Sequence, residues 1–138
     1  MIELKEIIDN FEYLNDWEDR YRYIIELGSL LENFPQESKN DETKVSGCVS
    51  QVWISSKVIK KETNKIISFK GDSDAHIVKG LVTIILSIYS NKTPEEILNL
   101  NGEEILKNLN LEDHLSPQRS NGLFSMLERI KSDARNNL

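Results

Sequence analysis

VWISSKVIKKETNKIISFKGDSDAHIVKGLVTIILSIY, Val52 to Tyr89, changes its hydrophobic period part-way along. VWISSKVI and KIISFK are short and rich in β-branched and aromatic residues, with the polar KKETNK between them. That pattern predicts a β-hairpin, with Asn64 at a turn position of positive φ. GDSD, Gly71 to Asp74, breaks the second strand, and Asp72 or Ser73 can accept hydrogen bonds from the first free N–H groups of a helix. The helix predicted from there runs to about Ser90. Ile77, Val78, Leu81, Val82, Ile84, Ile85, Ile88 and Tyr89 cover most of its circumference, so it is buried on more than one side. Gly80 within it implies close approach of another backbone.

Upstream, Leu4, Ile7, Ile8, Phe11 and Leu14 recur at spacings of three and four, one face of a helix. A second helix is predicted over Asp16 to Glu32, with Asp16 as its cap and Tyr21, Ile24, Ile25, Leu27, Leu30 and Leu31 facing the core. Phe34-Pro35 ends it, and Gln36 to Lys44 reads as an exposed loop. Lys44 to Ser46 is read as a further short strand, giving a sheet of about three. Downstream, Thr93-Pro94-Glu95-Glu96 is a capping box with proline at the first helical position. Short helices follow to Leu98 and over Gly102 to Leu109. Ser116-Pro117 opens the last helix, with Leu123, Met126, Leu127 and Ile130 inward. The expected class is α+β, a small antiparallel sheet with helices packed around it.

The 138 residues fit a single domain, 1–138, large enough to bury a core without staples. A formal charge of −6 with no basic run argues against general nucleic-acid binding. The N-terminus has no apolar h-region, and LVTIILSIY, Leu81 to Tyr89, is too short to cross a bilayer. A cytoplasmic protein is expected, with no membrane partner. One cysteine excludes an internal disulfide, and one Cys with two His falls short of a structural zinc site.

That cysteine is Cys48, in KVSGCVSQVW. Lone cysteines are often buried filler. Here Gly47 precedes it, and Val49-Ser50-Gln51 follow. Gly47 suits a tight tip, and small neighbours leave the sulfur approachable. A hydrolase would need a histidine within reach, His76 or His114. Persulfide exchange asks less: a thiolate attacks the outer sulfur of a donor persulfide, and the donor thiolate leaves. The residues alone leave both open.

Three blocks carry a likeness that spans nearly the whole chain. They are Gly47-Cys48-Val49-Ser50-Gln51-Val52-Trp53, Phe69 to Leu81 (FKGDSDAHIVKGL), and His114 to Leu123 (HLSPQRSNGL). With them the sequence resembles the SufE-like cysteine desulfuration proteins. The resemblance implies the fold shared with the U-type (NifU-like) iron–sulfur scaffolds, but with one cysteine in place of three ligands, and so no cluster. It implies a partner, a SufS-like cysteine desulfurase, which carries the pyridoxal phosphate; no cofactor is expected on this chain. It implies that Cys48 takes sulfur from the desulfurase persulfide, speeds its turnover and passes the sulfur to the SUF assembly complex. It places Arg119 near the cysteine loop, where a guanidinium can favour a thiolate or persulfide anion. Gly47, Ser50, Gln51, Trp53 and Asp74 are expected to support the loop. Trp53 is expected on the inner face of the first strand, and Asp72 and Asp74 with exposed carboxylates. A monomer or weak dimer is expected. A non-covalent activator of the desulfurase and a cysteine hydrolase are the rival readings.

Overall fold

The computed structural model describes all of residues 1–138. Its helices are α1 (Leu4–Tyr13), α2 (Trp17–Gly28), α3 (His76–Tyr89), α4 (Pro94–Asn99), α5 (Gly102–Asn108) and α6 (Pro117–Arg135). The strands β1 (Val52–Lys60) and β2 (Lys65–Ser73) pair antiparallel between α2 and α3 in sequence. Single 3₁₀ turns lie at Gln36–Ser38 and Glu112–His114. The class is α+β, as expected.

The sheet has two strands rather than about three. Thr43 to Val45 touches β1 only through a bridge between Lys44 and Trp53, with Val45 N–H donating to Val52 O and Ile54 N–H to Thr43 O, both 2.8 Å. The chain then turns away at Gly47 instead of continuing the ladder. The hairpin turn also differs. Asn64 does not have positive φ; its carbonyl accepts from Lys61 N–H at 2.7 Å and closes a four-residue loop. The left-handed asparagines are Asn91 and Asn110.

β2 runs beyond the predicted break, to Ser73. Neither Asp72 nor Ser73 caps α3; its N-cap is Ala75, with no side-chain cap bond. Asp72 is instead paired with Lys39, and Ser73 Oγ donates to Gln51 O at 2.7 Å. The other predicted helix starts match, but the second helix ends at Gly28, short of the predicted Glu32. Asp16 caps α2 through Glu18 N–H, Thr93 and Glu96 form the reciprocal box on α4, and Ser116 caps α6 through Arg119 N–H.

α3 is buried along nearly its whole length and packs against α1, α2, α6 and β2. It crosses α2 at glycine contacts. A Cβ on Gly80 would collide with the Ile24 carbonyl, and one on Gly28 would lie 2.7 Å from Lys79 Cβ. Thr83, fully buried, donates to Leu27 O at 2.9 Å and ties the same pair. Because α2 meets α3 along this narrow stripe, Tyr21 and Ile25 are left exposed, and Leu30, beyond the end of α2, is exposed too, against expectation.

Gly80→Ala is expected to cost about 3 kcal/mol, the upper range for overpacking a tight core, because the obstacle is backbone rather than a movable side chain. Urea denaturation measures it; a loss indistinguishable from zero would contradict the contact.

Candidate functional site

The segment after the Lys44 bridge swings over the N-terminal part of α6 and returns as β1. Gly47 holds the bend with φ 90°, a conformation L side chains rarely adopt, and a Cβ there would strike Ser125 Oγ. Val49 then points outward, 78% exposed, while Cys48 turns inward and is half-buried. Its Sγ–H donates to Gly122 O at 3.6 Å. A Cβ added to Gly122 would lie 3.6 Å from the sulfur, so the bare helix backbone at Gly122 is where the thiol rests.

Under the loop is a cavity of about 380 Å³. α3 contributes Val78 and Leu81, α6 contributes Gln118, Arg119 and Met126, and the loop contributes Ser50. Arg119 is the only charged side chain lining it. The likeness to SufE-like proteins implies an arginine near the cysteine; Arg119 and Cys48 line the same cavity. The expected activation is not present in this arrangement: burial pushes the Cys48 thiol up, and no cation offsets it.

The loop is fastened on both sides. On the β1 side, Gln51 N–H donates to Asp74 Oδ1 at 3.0 Å, and Gln51 O accepts from Ser73 Oγ. Asp74 is exposed, as expected, but its carboxylate braces the loop. On the other side, Arg129 donates to the carbonyls of Glu42 (2.7 Å) and Ile54 (3.0 Å). Longer bonds reach Thr43 and Lys44. Asp133 neutralises it at 3.3 Å. Arg129 was not singled out in the sequence. The available signal was its position between Met126 and Ile130, beside the buried stripe of the last helix, where a charge needs partners.

Trp53 corrects another expectation. Val52 and Ile54 are fully buried, so strand alternation turns Trp53 to the outer face, opposite Asp72. There Lys39 Nζ covers the indole at 4.7 Å and pairs with Asp72 at 3.0 Å. Lys79 adds a second contact to Asp72 at 3.5 Å. Burial opposes ionisation of Asp72, but the Lys39 hydrogen bond, Ser73 N–H and the nearby lysine charges outweigh it and hold its carboxyl below the usual range. Asp72 is therefore an internal tie, not an exposed carboxylate.

Neither histidine reaches the thiol. His76 is exposed, and His114 stacks on Trp17 at 3.8 Å between ring centroids. Neither lines the cavity. No group of three or more His, Cys, Asp or Glu side chains is placed to hold a metal, and no helix is long and apolar enough to cross a membrane.

Residues 5–134 match the family described as "SufE: Fe-S metabolism associated domain". The chain belongs to the SufE family. Its place is thus in iron–sulfur metabolism. It is 51% identical to an uncharacterised SufE-like protein of Rhizobium etli, over 98% of this chain and 91% of that one. It is 48% identical to an uncharacterised SufE-like protein of Rhizobium meliloti, over 100% and 99% of the two chains. The fold is similar to the solution structure of a hypothetical protein from Thermus thermophilus, with TM-score 0.75, 19% identity, and 99% and 97% coverage.

Two outcomes follow from the buried thiol. Alkylation of Cys48 by iodoacetamide is expected to be slower than that of a free thiol, with its pH midpoint above the ordinary 9.0. A midpoint at or below 9.0 would contradict the burial. The linkage has a definite sign. Above pH 9.0 the unfolded chain releases the thiol proton first, so the Cys48 contribution to stability falls as pH rises. Comparing wild type with Cys48→Ser by urea denaturation across that range isolates it; a difference that did not change with pH would contradict the sign.

Proposed function

We propose that this SufE-family protein accepts sulfur from a cysteine desulfurase onto Cys48, stimulates the desulfurase by clearing its persulfide, and passes the sulfur on for iron–sulfur cluster assembly. The observation that carries this reading is the placement of the only thiol: on a fastened loop tip, over an apolar cavity, with one guanidinium at its lining. The family supplies the partner class and the metabolic context.

The chemistry is a displacement. The Cys48 thiolate attacks the outer sulfur of the desulfurase persulfide, and a new S–S bond forms on Cys48. The old S–S bond breaks, its electron pair leaves with the desulfurase thiolate, and the proton lost by Cys48 balances the one that thiolate takes up. No net oxidation occurs. The pyridoxal phosphate that removes sulfur from free cysteine belongs to the desulfurase, and the exchange needs no cofactor on this chain.

Burial and reactivity pull in opposite directions. A thiol resting on Gly122 is sheltered, and its raised pKa leaves little thiolate near neutrality. Acceptance therefore requires the tip to turn outward when the desulfurase docks, leaving desolvation behind and bringing the sulfur into the donor site. The exposed Val49 beside Cys48 gives the tip an apolar contact for that encounter. On return, Arg119 can stabilise the persulfide anion over the cavity.

The rival of a purely allosteric activator shares every contact but needs no sulfur on Cys48. The hydrolase reading loses its support, because neither histidine lies at the thiol.

Incubation with a competent cysteine desulfurase and free cysteine is expected to add one sulfur to Cys48, read by intact mass. Cys48→Ser should bind the desulfurase and fail to stimulate it. Stimulation equal to wild type by the serine variant would establish the allosteric rival instead. Arg119→Ala is expected to slow transfer about tenfold, the effect of losing roughly one pKa unit of anion stabilisation. An unchanged transfer rate would remove Arg119 from the mechanism.

A further inference from the structure

α6 underlies the cysteine loop along one stripe. Gly122, Ser125 and Arg129 recur at spacings of three and four, so they share a face. The loop runs across them in reverse order. Cys48 rests on Gly122, Gly47 packs on Ser125, and the carbonyls of Glu42, Thr43 and Lys44 meet Arg129. The same guanidinium takes the Ile54 carbonyl, on the strand that leaves the loop. One side chain thus grips the chain before and after the cysteine.

We propose that Arg129 is a positioning residue for Cys48: its guanidinium clamps both limbs of the loop to α6 and so sets how far the thiol sits into its rest position on Gly122. The planar fork is suited to this. Its N–H groups diverge toward four carbonyls while Asp133 balances the charge, an arrangement a lysine ammonium cannot reproduce. The Gln51–Asp74 brace holds only the β1 side. Without Arg129 the limb from Glu42 to Ser46 keeps its two backbone bonds to β1, the turn contacts of Glu42, Thr43 and Lys44 with Ser38 and Asn40, and the buried Val45, but it loses its side-chain tie to α6. Outward motion of the tip is then confined to the residues between these two fastenings, Ser46 to Ser50. Positioning of the acceptor sulfur rests on the reading of Cys48 given above, but the thiol's confinement does not.

The test uses the isolated full chain and iodoacetamide alone, so it succeeds or fails independently of any desulfurase. Alkylation of Cys48 is followed across pH, alongside thermal melting of each variant. Around the thiol the only charged side chain lining the cavity is Arg119, which every variant retains; α3 presents Val78 and Leu81 there. Arg129→Ala is expected to speed alkylation near neutral pH about tenfold, the gain in thiolate that one pKa unit brings, and to move the pH midpoint down toward that of a free thiol. Arg129→Lys should fall between wild type and alanine. A variant that melts earlier but keeps the wild-type alkylation profile while folded would overturn the proposal and make Arg129 a structural tie only. Should the alanine variant fail to fold, the lysine variant decides: a wild-type profile overturns the proposal, a shifted one supports it.

Discussion

Everything in this fold is arranged around a helix with almost no solvent face. α3 is apolar on nearly every side, so it is stable only where other elements cover it. The hairpin covers one side, α2 another and α6 a third. The glycine crossing with α2 sets how closely those layers approach. The gap left between α3 and α6, where the cysteine loop closes over Val78 and Leu81, is the cavity. The site is therefore a consequence of how the core is packed, not an addition to its surface.

On the proposed reading the loop balances two demands. A sulfur carried as a persulfide needs shelter, and a thiol that accepts sulfur needs access. The rest position favours shelter: desolvation disfavours the thiolate, and the Gly122 carbonyl accepts a hydrogen bond from the thiol S–H. The fastenings sit away from the sulfur, at Lys44 and Ile54 through Arg129 and at Gln51 through Asp74 and Ser73. On the proposed reading, docking moves a short tip without unravelling the sheet.

Much of this was legible in the sequence because period and capping are local signals. The switch from alternating β-branched residues to an all-round apolar run pointed to the hairpin and α3, and Gly80 pointed to the close crossing. Cys48 and Arg119 stood out through motif context, and both line the cavity. The misses are places where a partner distant in sequence decided the outcome. Asp72 looked like a cap until Lys39 claimed it across the sheet. Trp53 was expected inside, yet Val52 and Ile54 already occupied the inner face. Arg129 carried no local signal of its partners, because the carbonyls it holds lie more than seventy residues away. Tyr21 and Ile25 carried a helical period that the narrow α2–α3 stripe did not use, and Leu30 fell past the end of α2.

The central claim is that sulfur itself moves to Cys48. A single-turnover chase tests it directly. A desulfurase preloaded with radiolabelled persulfide sulfur, freed of cysteine, is mixed with this protein and resolved without reductant. The account predicts that label leaves the desulfurase and appears on this chain, and that Cys48→Ser receives none. Label that remains on the desulfurase, while this protein still accelerates its turnover, would contradict the account.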